Sequence, residues 1–281
     1  MDQNELLRYV DRDEIVMIAG ASMGMFTGYA LAADKLDELE HIYRSIDIPK
    51  KSELFWQVFA HDLLAATTES IVKAGDVLDI PFCFPVCVLS LCPVRYYLLH
   101  GPFNRLWPKY MHAGVNYPFL KIFPSVVEHR LAIDGGAMDN IPLYPILKKG
   151  KQVLPASRRP DFILALHFDS RYDYRKDFQP EIPVLDVDIS ICNDFKKEHY
   201  NFSHEYLCEM LEAGERYGEE LCKALFTGDV SREGLQKKAD EIFLREHGER
   251  QRHISVDRLF SMLNTIGKLL RRDAANIKKL Y

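Results

Sequence analysis

A short uncharged run, Ile15-Val16-Met17-Ile18-Ala19, passes directly into Gly20-Ala21-Ser22-Met23-Gly24, and that into a stretch from Met25 to Leu36 rich in Ala, Leu and small residues. The first part reads as a strand buried on both faces and the last as a helix. Strand, Gly-x-Ser-x-Gly, helix is the setting in which a serine serves as a nucleophile. The turn must be sharp for its Oγ to stand clear at the carboxyl end of the sheet. Small residues two before and two after the serine, Gly20 and Gly24, let strand and helix approach without a clash. The helix start aims its N–H groups at the same place, with Met23 N–H the natural oxyanion donor. The plainer reading is a Gly-rich turn whose serine caps the helix. Position then constrains the fold. An ordinary α/β-hydrolase places several strands before its elbow, whereas twenty-one residues precede Ser22. That topology does not fit unless the chain is permuted.

The rest of the chain is that of an ordinary globule. Its 281 residues are 47% hydrophobic and 27% charged, which excludes disorder, collagen and coiled coil. A net charge of −5 gives no general attraction for phosphate backbones, so no nucleic-acid partner is expected. Six cysteines are too few for a disulfide scaffold. The acidic start, with Asp2, Glu5, Asp11, Asp13 and Glu14, is no signal peptide. The uncharged run from Ile80 to Val94 is broken by Pro81, Pro85 and Pro93 and is too short to span a bilayer. A reduced, cytoplasmic protein is the expectation.

Helices are expected over Asp37 to Ile46 and over residues 53–75, where Leu54, Val58, Leu63 and Leu64 share a face. The Pro-interrupted run from residue 80 suits a buried or edge strand. Residues 101–128 read as irregular, Leu131 to Asp134 as a strand end, and Phe162 to Phe168 as a buried strand. Ile182, Val184, Val187 and Ile189 suggest one more strand. Beyond residue 200 the pattern becomes helical. Ser203 is placed to cap a helix carrying Tyr206, Met210, Ala213, Tyr217, Leu221 and Leu225, and Ser231 another with Leu235, Ile242 and Phe243. A last helix from Ser255 carries Leu259, Leu263, Ile266 and Leu270. Lys268, Arg271, Arg272, Lys278 and Lys279 beside that stripe form either a solvated face or a peripheral membrane contact. The expected division is an α/β domain over 1–200 and a helical extension over 201–281 packed on it.

A second segment carries chemistry: Ala132-Ile133-Asp134-Gly135-Gly136-Ala137-Met138-Asp139-Asn140-Ile141-Pro142. An Asp at a strand end before two glycines either projects into a cleft or holds its own Asp-Gly turn. Taken together, GASMG and DGG resemble the patatin-like phospholipase family, in which a Ser in GxSxG and an Asp in DGG form a catalytic dyad. Asn140-Ile141-Pro142 is similar to the family's continuation after DGG. Ala113-Gly114, Tyr117-Pro118 and Pro124 are similar to the segment leading to its aspartate, and Phe162–Asp169 to the strand that follows. The resemblance covers roughly residues 10 to 170.

It implies an α/β, patatin-like three-layer fold with a predominantly parallel central sheet, and a serine acyl hydrolase acting on lipid or other carboxylic esters. Ser22 would be the nucleophile and Asp134 its base, with Gly135 and Gly136 forming the turn at the base and no metal or cofactor. An ordinary Asp is a weak base near neutrality, so burial must raise its pKa. The family also has a strand and a Gly-rich oxyanion loop ahead of the elbow, whereas this chain opens Met1-Asp2-Gln3-Asn4 without them. The alternative expectation is thus an impaired scaffold that binds lipid or a protein partner, and the unpaired sheet neighbour offers a contact for a second copy. His167 is the candidate for a third catalytic member or a structural histidine. Cys83, Cys87 and Cys92 read as buried thiols rather than zinc ligands. Met23, Met25 and Phe26 either line an acyl groove or pack the elbow helix.

Overall fold

The computed structural model describes residues 3–46, 63–90, 93–116, 125–143, 145, 159–167, 182–189, 203–250 and 277–280. The helix from Ser255 with Lys268, Arg271 and Arg272, as well as Cys92, Tyr117-Pro118 and Pro124, lies outside them. Two compact units emerge. One comprises Met1–Glu14, Ile46–Pro49 and Ala156–Arg258, the other Ile15–Ser45, Lys50–Pro155 and Leu259–Tyr281.

In chain order the elements are α1 (Gln3–Leu6), β1 (Ile18–Ala19), α2 (Met23–Ala32), α3 (Leu36–Ser45), α4 (63–71), β2 (Val77–Val88), β3 (Val94–Pro102) and α5 (Trp107–Gly114). They continue with β4 (Ser125–Val127), β5 (Arg130–Asp134), a 3-10 turn at Gly135–Ala137, β6 (Ile163–His167) and β7 (Val184–Asp188). α6 (His204–Phe226), α7 (Arg232–Arg250) and β8 (Ile277–Leu280) complete the order.

The unit that carries Ser22 is built on a six-stranded sheet in the order β4-β5-β2-β3-β8, with β1 also paired to β2. β2 runs antiparallel to β3 and β5, and β4 to β5; only β1 on β2 and β8 on β3 are parallel. The predominantly parallel central sheet of a patatin-like three-layer fold is therefore not what forms. The sheet is mixed and mostly antiparallel. The reason lies in the link between β2 and β3: residues 89–93 make a short connection, and a parallel pair needs a crossover of a dozen residues or more.

β2 is the long central strand. Phe82, Phe84, Val86 and Val88 face one side, where they join Met25, Phe26 and Tyr29 of α2 and Trp107 of α5 in the main core. Cys83 and Cys87 face the other, beside Tyr96, Leu98 and Ile133. Burial on both faces explains the uninterrupted apolar run. Pro81 falls where the β2–β3 register shifts, between Leu78 and Phe82, as prolines inside sheets do. β1 is shorter than its sequence suggests, only two residues, and half-buried. Gly28 lets α2 lie on the sheet, since a Cβ there would come within 2.6 Å of the Phe82 ring. A buried Asp76 ties the base of this layer together, with the Lys35 ammonium and the Tyr29 hydroxyl each at 2.5 Å.

In the other unit β6 and β7 pair in parallel, from Ile163 opposite Val184 to His167 opposite Asp188. Leu185 and Val187 pack on Leu221 and Leu225 of α6 and on Ala239 and Ile242 of α7. Ser203 accepts the Tyr206 N–H and caps α6, as its position predicts, and Ser231 accepts the Gly234 N–H at the start of α7. Residues 107–114, expected to be irregular, form α5 with Pro108 in its first turn. Lys278 and Lys279 lie on strand β8 rather than on a helix, with Lys278 paired to Glu128 at 2.6 Å. No helix among the described residues is long and apolar enough to cross a membrane.

Candidate active site

Ser22 and Asp134 come together through the edge of β2. β1 climbs this edge in parallel and ends with Ala19 opposite Cys83, where the Gly20 N–H donates to the Cys83 carbonyl. β5 descends the same edge in the opposite sense and ends with Asp134 opposite Val86. The two motifs therefore meet across a gap of two residues on β2, Phe84 and Pro85, with the strand ends about 10 Å apart along it. Pro85 sits in that gap. Cys83 and Leu89 turn their polar groups to this edge, to Gly20 and Leu131, so by alternation Pro85 does too. Its missing N–H leaves no partner unsatisfied.

The elbow is sharp. Ser22 has φ 53° and ψ −129°, a conformation side chains rarely adopt. It stands at the N-cap position of α2, yet its side chain makes no capping hydrogen bond. The hydroxyl is therefore not used as a cap. Gly20 is required by the close approach: a Cβ there would lie 2.3 Å from the Gly24 carbonyl oxygen. Gly24 is different, since a Cβ there would meet nothing within 4 Å. The tight contact belongs to Gly20 and to the backbone of residue 24, not to the absence of a side chain at Gly24. The Gly24 and Met25 N–H groups donate to the Ala21 and Ser22 carbonyls. Met23 N–H, at the first position of α2, has no acceptor among the described residues. The Met23 side chain is 43% exposed, whereas Met25 and Phe26 are fully buried in the core and pack the helix.

Asp134 is fully buried. Its N–H donates to the Asn116 carbonyl at 2.9 Å, and the Asn116 amide donates to Ser125 and to the Ala132 carbonyl, which pins the end of β5 on its outer side. Asp134 Oδ1 accepts the Gly136 N–H at 2.7 Å. Burial pushes the carboxyl up to about 6, against the lowering effects of the Ser22 hydroxyl and the Gly136 N–H. Oδ2 has no partner of full hydrogen-bonding geometry among the described residues, so the Ser22 contact is loose. A Cβ on Gly136 would lie 3.1 Å from Asp134 Oδ1, 3.4 Å from Ser22 Cβ and 3.5 Å from Asn140 Oδ1, which locates the point where these groups converge. Gly135 is needed for another reason: its Cβ would overlap the Pro85 carbonyl oxygen at 2.2 Å.

His167 belongs to the other unit, where its Nε2 is bonded to Asp186 and both are buried. Cys83 and Cys87 are buried thiols; Cys83 is pushed up by burial and by Asp139, and Cys87 lies 3.7 Å from the Gly135 carbonyl. No group of three His, Cys, Asp or Glu among the described residues is placed to hold a metal ion. Two residues with no assigned role in the sequence reading stand beside the turn. The Tyr96 hydroxyl donates to Asp139, and both are buried. Asp139 was visible in the DGG segment, but Tyr96 becomes visible only through the β2–β3 register. No protein-family model matches the chain, and no curated protein matches it significantly.

Proposed function

We propose that the chain is a serine acyl hydrolase that cleaves carboxylic esters through an acyl-Ser22 intermediate, with Asp134 as the base. The observation that carries this reading is the pairing of an uncapped serine on a strained elbow with a fully buried carboxyl whose pKa is raised to about 6. Such a carboxyl is still mostly ionised at neutral pH, yet is a better proton acceptor than an ordinary Asp. Asp134 takes the Ser22 proton as Oγ attacks the ester carbonyl. Met23 N–H faces the developing oxyanion. Collapse expels the alcohol, which receives the proton from Asp134, and water then attacks the acyl-serine with Asp134 again as base. The loose Ser22 contact is of the kind that tightens with substrate bound.

Lipid esters are the substrate class that the paired motifs suggest, and the exposed Met23 beside the serine offers an apolar contact for them. The reading includes a reducing, cytoplasmic setting, in keeping with the free thiols of Cys83, Cys87, Cys208 and Cys222. A second reading, a scaffold that binds lipid or a protein without turnover, draws support from the same Oδ2, which lacks a full hydrogen bond to Ser22. Mass spectrometry after treatment with a fluorophosphonate probe decides between them. A single adduct on Ser22 that weakens in Asp134→Asn supports the hydrolase. A folded protein that takes no adduct refutes it and favours the scaffold.

A further inference from the structure

The turn that follows Asp134 passes from one face of the sheet to the other. Asp134 shares the α2 side with Ala132, while Met138 lies on the opposite side with Cys83, Cys87 and Ile133. The gap in the β2 edge is what lets the chain through. On the near side Gly135 is pressed against the Pro85 carbonyl. On the far side Asp139 N–H donates to the Gly135 carbonyl at 2.8 Å, and the Asp139 carboxyl accepts the Tyr96 hydroxyl. Tyr96 is the register partner of Pro85 across β2 and β3. One rung of the sheet thus touches the turn twice, through Pro85 at its start and through Tyr96 at its end.

We propose that Tyr96 and Asp139 are positioning residues for the Ser22–Asp134 pair: by holding the far end of the turn, they keep the Gly136 N–H on Asp134 Oδ1 and the other carboxylate oxygen toward Ser22. Neither touches substrate. The inference rests on the acyl-hydrolase reading and adds to it a support that acts from the opposite face of the sheet. If the Tyr96 hydroxyl is removed, the 135–139 turn loses a distal contact and the Gly136 contact loosens. That contact stabilises the ionised carboxylate, so its loss raises the carboxyl's pKa further. The effect is then a change in proton affinity as well as in geometry, which a merely structural role would not produce.

The test measures the pH dependence of Ser22 labelling by a fluorophosphonate in the full chain, for wild type, Tyr96→Phe, Asp139→Ala, Asp139→Asn and Tyr97→Phe. Tyr96→Phe and Asp139→Ala should label about tenfold more slowly at neutral pH, with the acidic limb moved upward by about half a unit. Asp139→Asn keeps an oxygen for the Tyr96 hydroxyl and should restore most of the rate. Tyr97→Phe removes a buried hydroxyl with no partner among the described residues and should label like wild type. An unchanged rate and limb in Tyr96→Phe overturns the proposal. A wild type that does not label overturns the hydrolase reading instead. The clamp is then judged by the Asp134 titration, taken from stability with and without Asp134→Asn in each background. A titration that Tyr96→Phe leaves unmoved sinks the clamp on its own.

Discussion

Replacing Asp134 by Asn should make the protein more stable at neutral pH while it destroys the base. The argument follows from proton linkage. Folding raises the carboxyl from 3.8 to about 6, chiefly by burial. The folded state therefore binds its proton more tightly than the unfolded state does. The group's favourable contribution is fully present below the unfolded value and is lost as pH rises through about 6. Over that window the ionised carboxyl costs about 3 kcal/mol, from about two pH units at 1.36 kcal/mol each. An amide at 134 does not titrate and can still accept the Gly136 N–H, so it escapes this cost. Between pH 8 and pH 4.5 the advantage of Asp134→Asn over wild type should shrink by about 2 kcal/mol, most of the total. Urea unfolding at a series of pH values measures it, with intrinsic fluorescence as the signal, because Trp107 is fully buried in the core of the unit that carries Asp134. Only the difference between the two proteins counts, since every other titrating group cancels. Parallel stability curves across this range would refute the reasoning. The carboxyl would then be an ordinary acid, with no special capacity to take a proton from Ser22.

Two further outcomes test the elbow. Gly20→Ala should destabilise by about 2 kcal/mol or more, because its Cβ overlaps backbone that cannot move aside. Gly24→Ala should be neutral or stabilising by up to about 1 kcal/mol and should leave Ser22 labelling intact; thermal unfolding of the two variants distinguishes them. Ser22→Gly should be more stable than Ser22→Ala by about 1 kcal/mol, since glycine relieves the positive φ and alanine does not. Equal stability of that pair in chemical denaturation would mean that the turn stores no strain.

Much of the local backbone geometry is legible in the sequence because it depends on residues close in sequence. The elbow at Ser22, the strand end at Asp134 and the Ser203 cap each have a composition that follows from backbone geometry over five or six positions. Strand direction is not of that kind. The apolar run through Phe82–Val88 says that both faces are buried, and a buried strand is equally apolar whether its neighbours run with it or against it. The informative signal was the brevity of residues 89–93, which closes a hairpin. In Trp107–Gly114 the Pro, Gly and aromatics have the composition of a loop, yet a proline in the first turn favours helix initiation and a helix forms. Tyr96 and Asp139 lie 43 positions apart, and only the register of three strands brings them together.

That shared strand makes the spacing of the pair discrete. Ser22 and Asp134 are each seated at the end of a strand hydrogen-bonded to β2, so the length of β2 between Cys83 and Val86 sets how far apart they stand. Two residues added there would move the strand ends apart by about 7 Å while returning every side chain to its own face. One added residue would instead turn one partner to the wrong face. Fine adjustment of the distance has to come from the turns at residues 20–22 and 134–136, where glycines at 20, 135 and 136 leave little freedom for added side chains. The sheet works as a ruler with coarse divisions, and the two loops at its gap are the vernier.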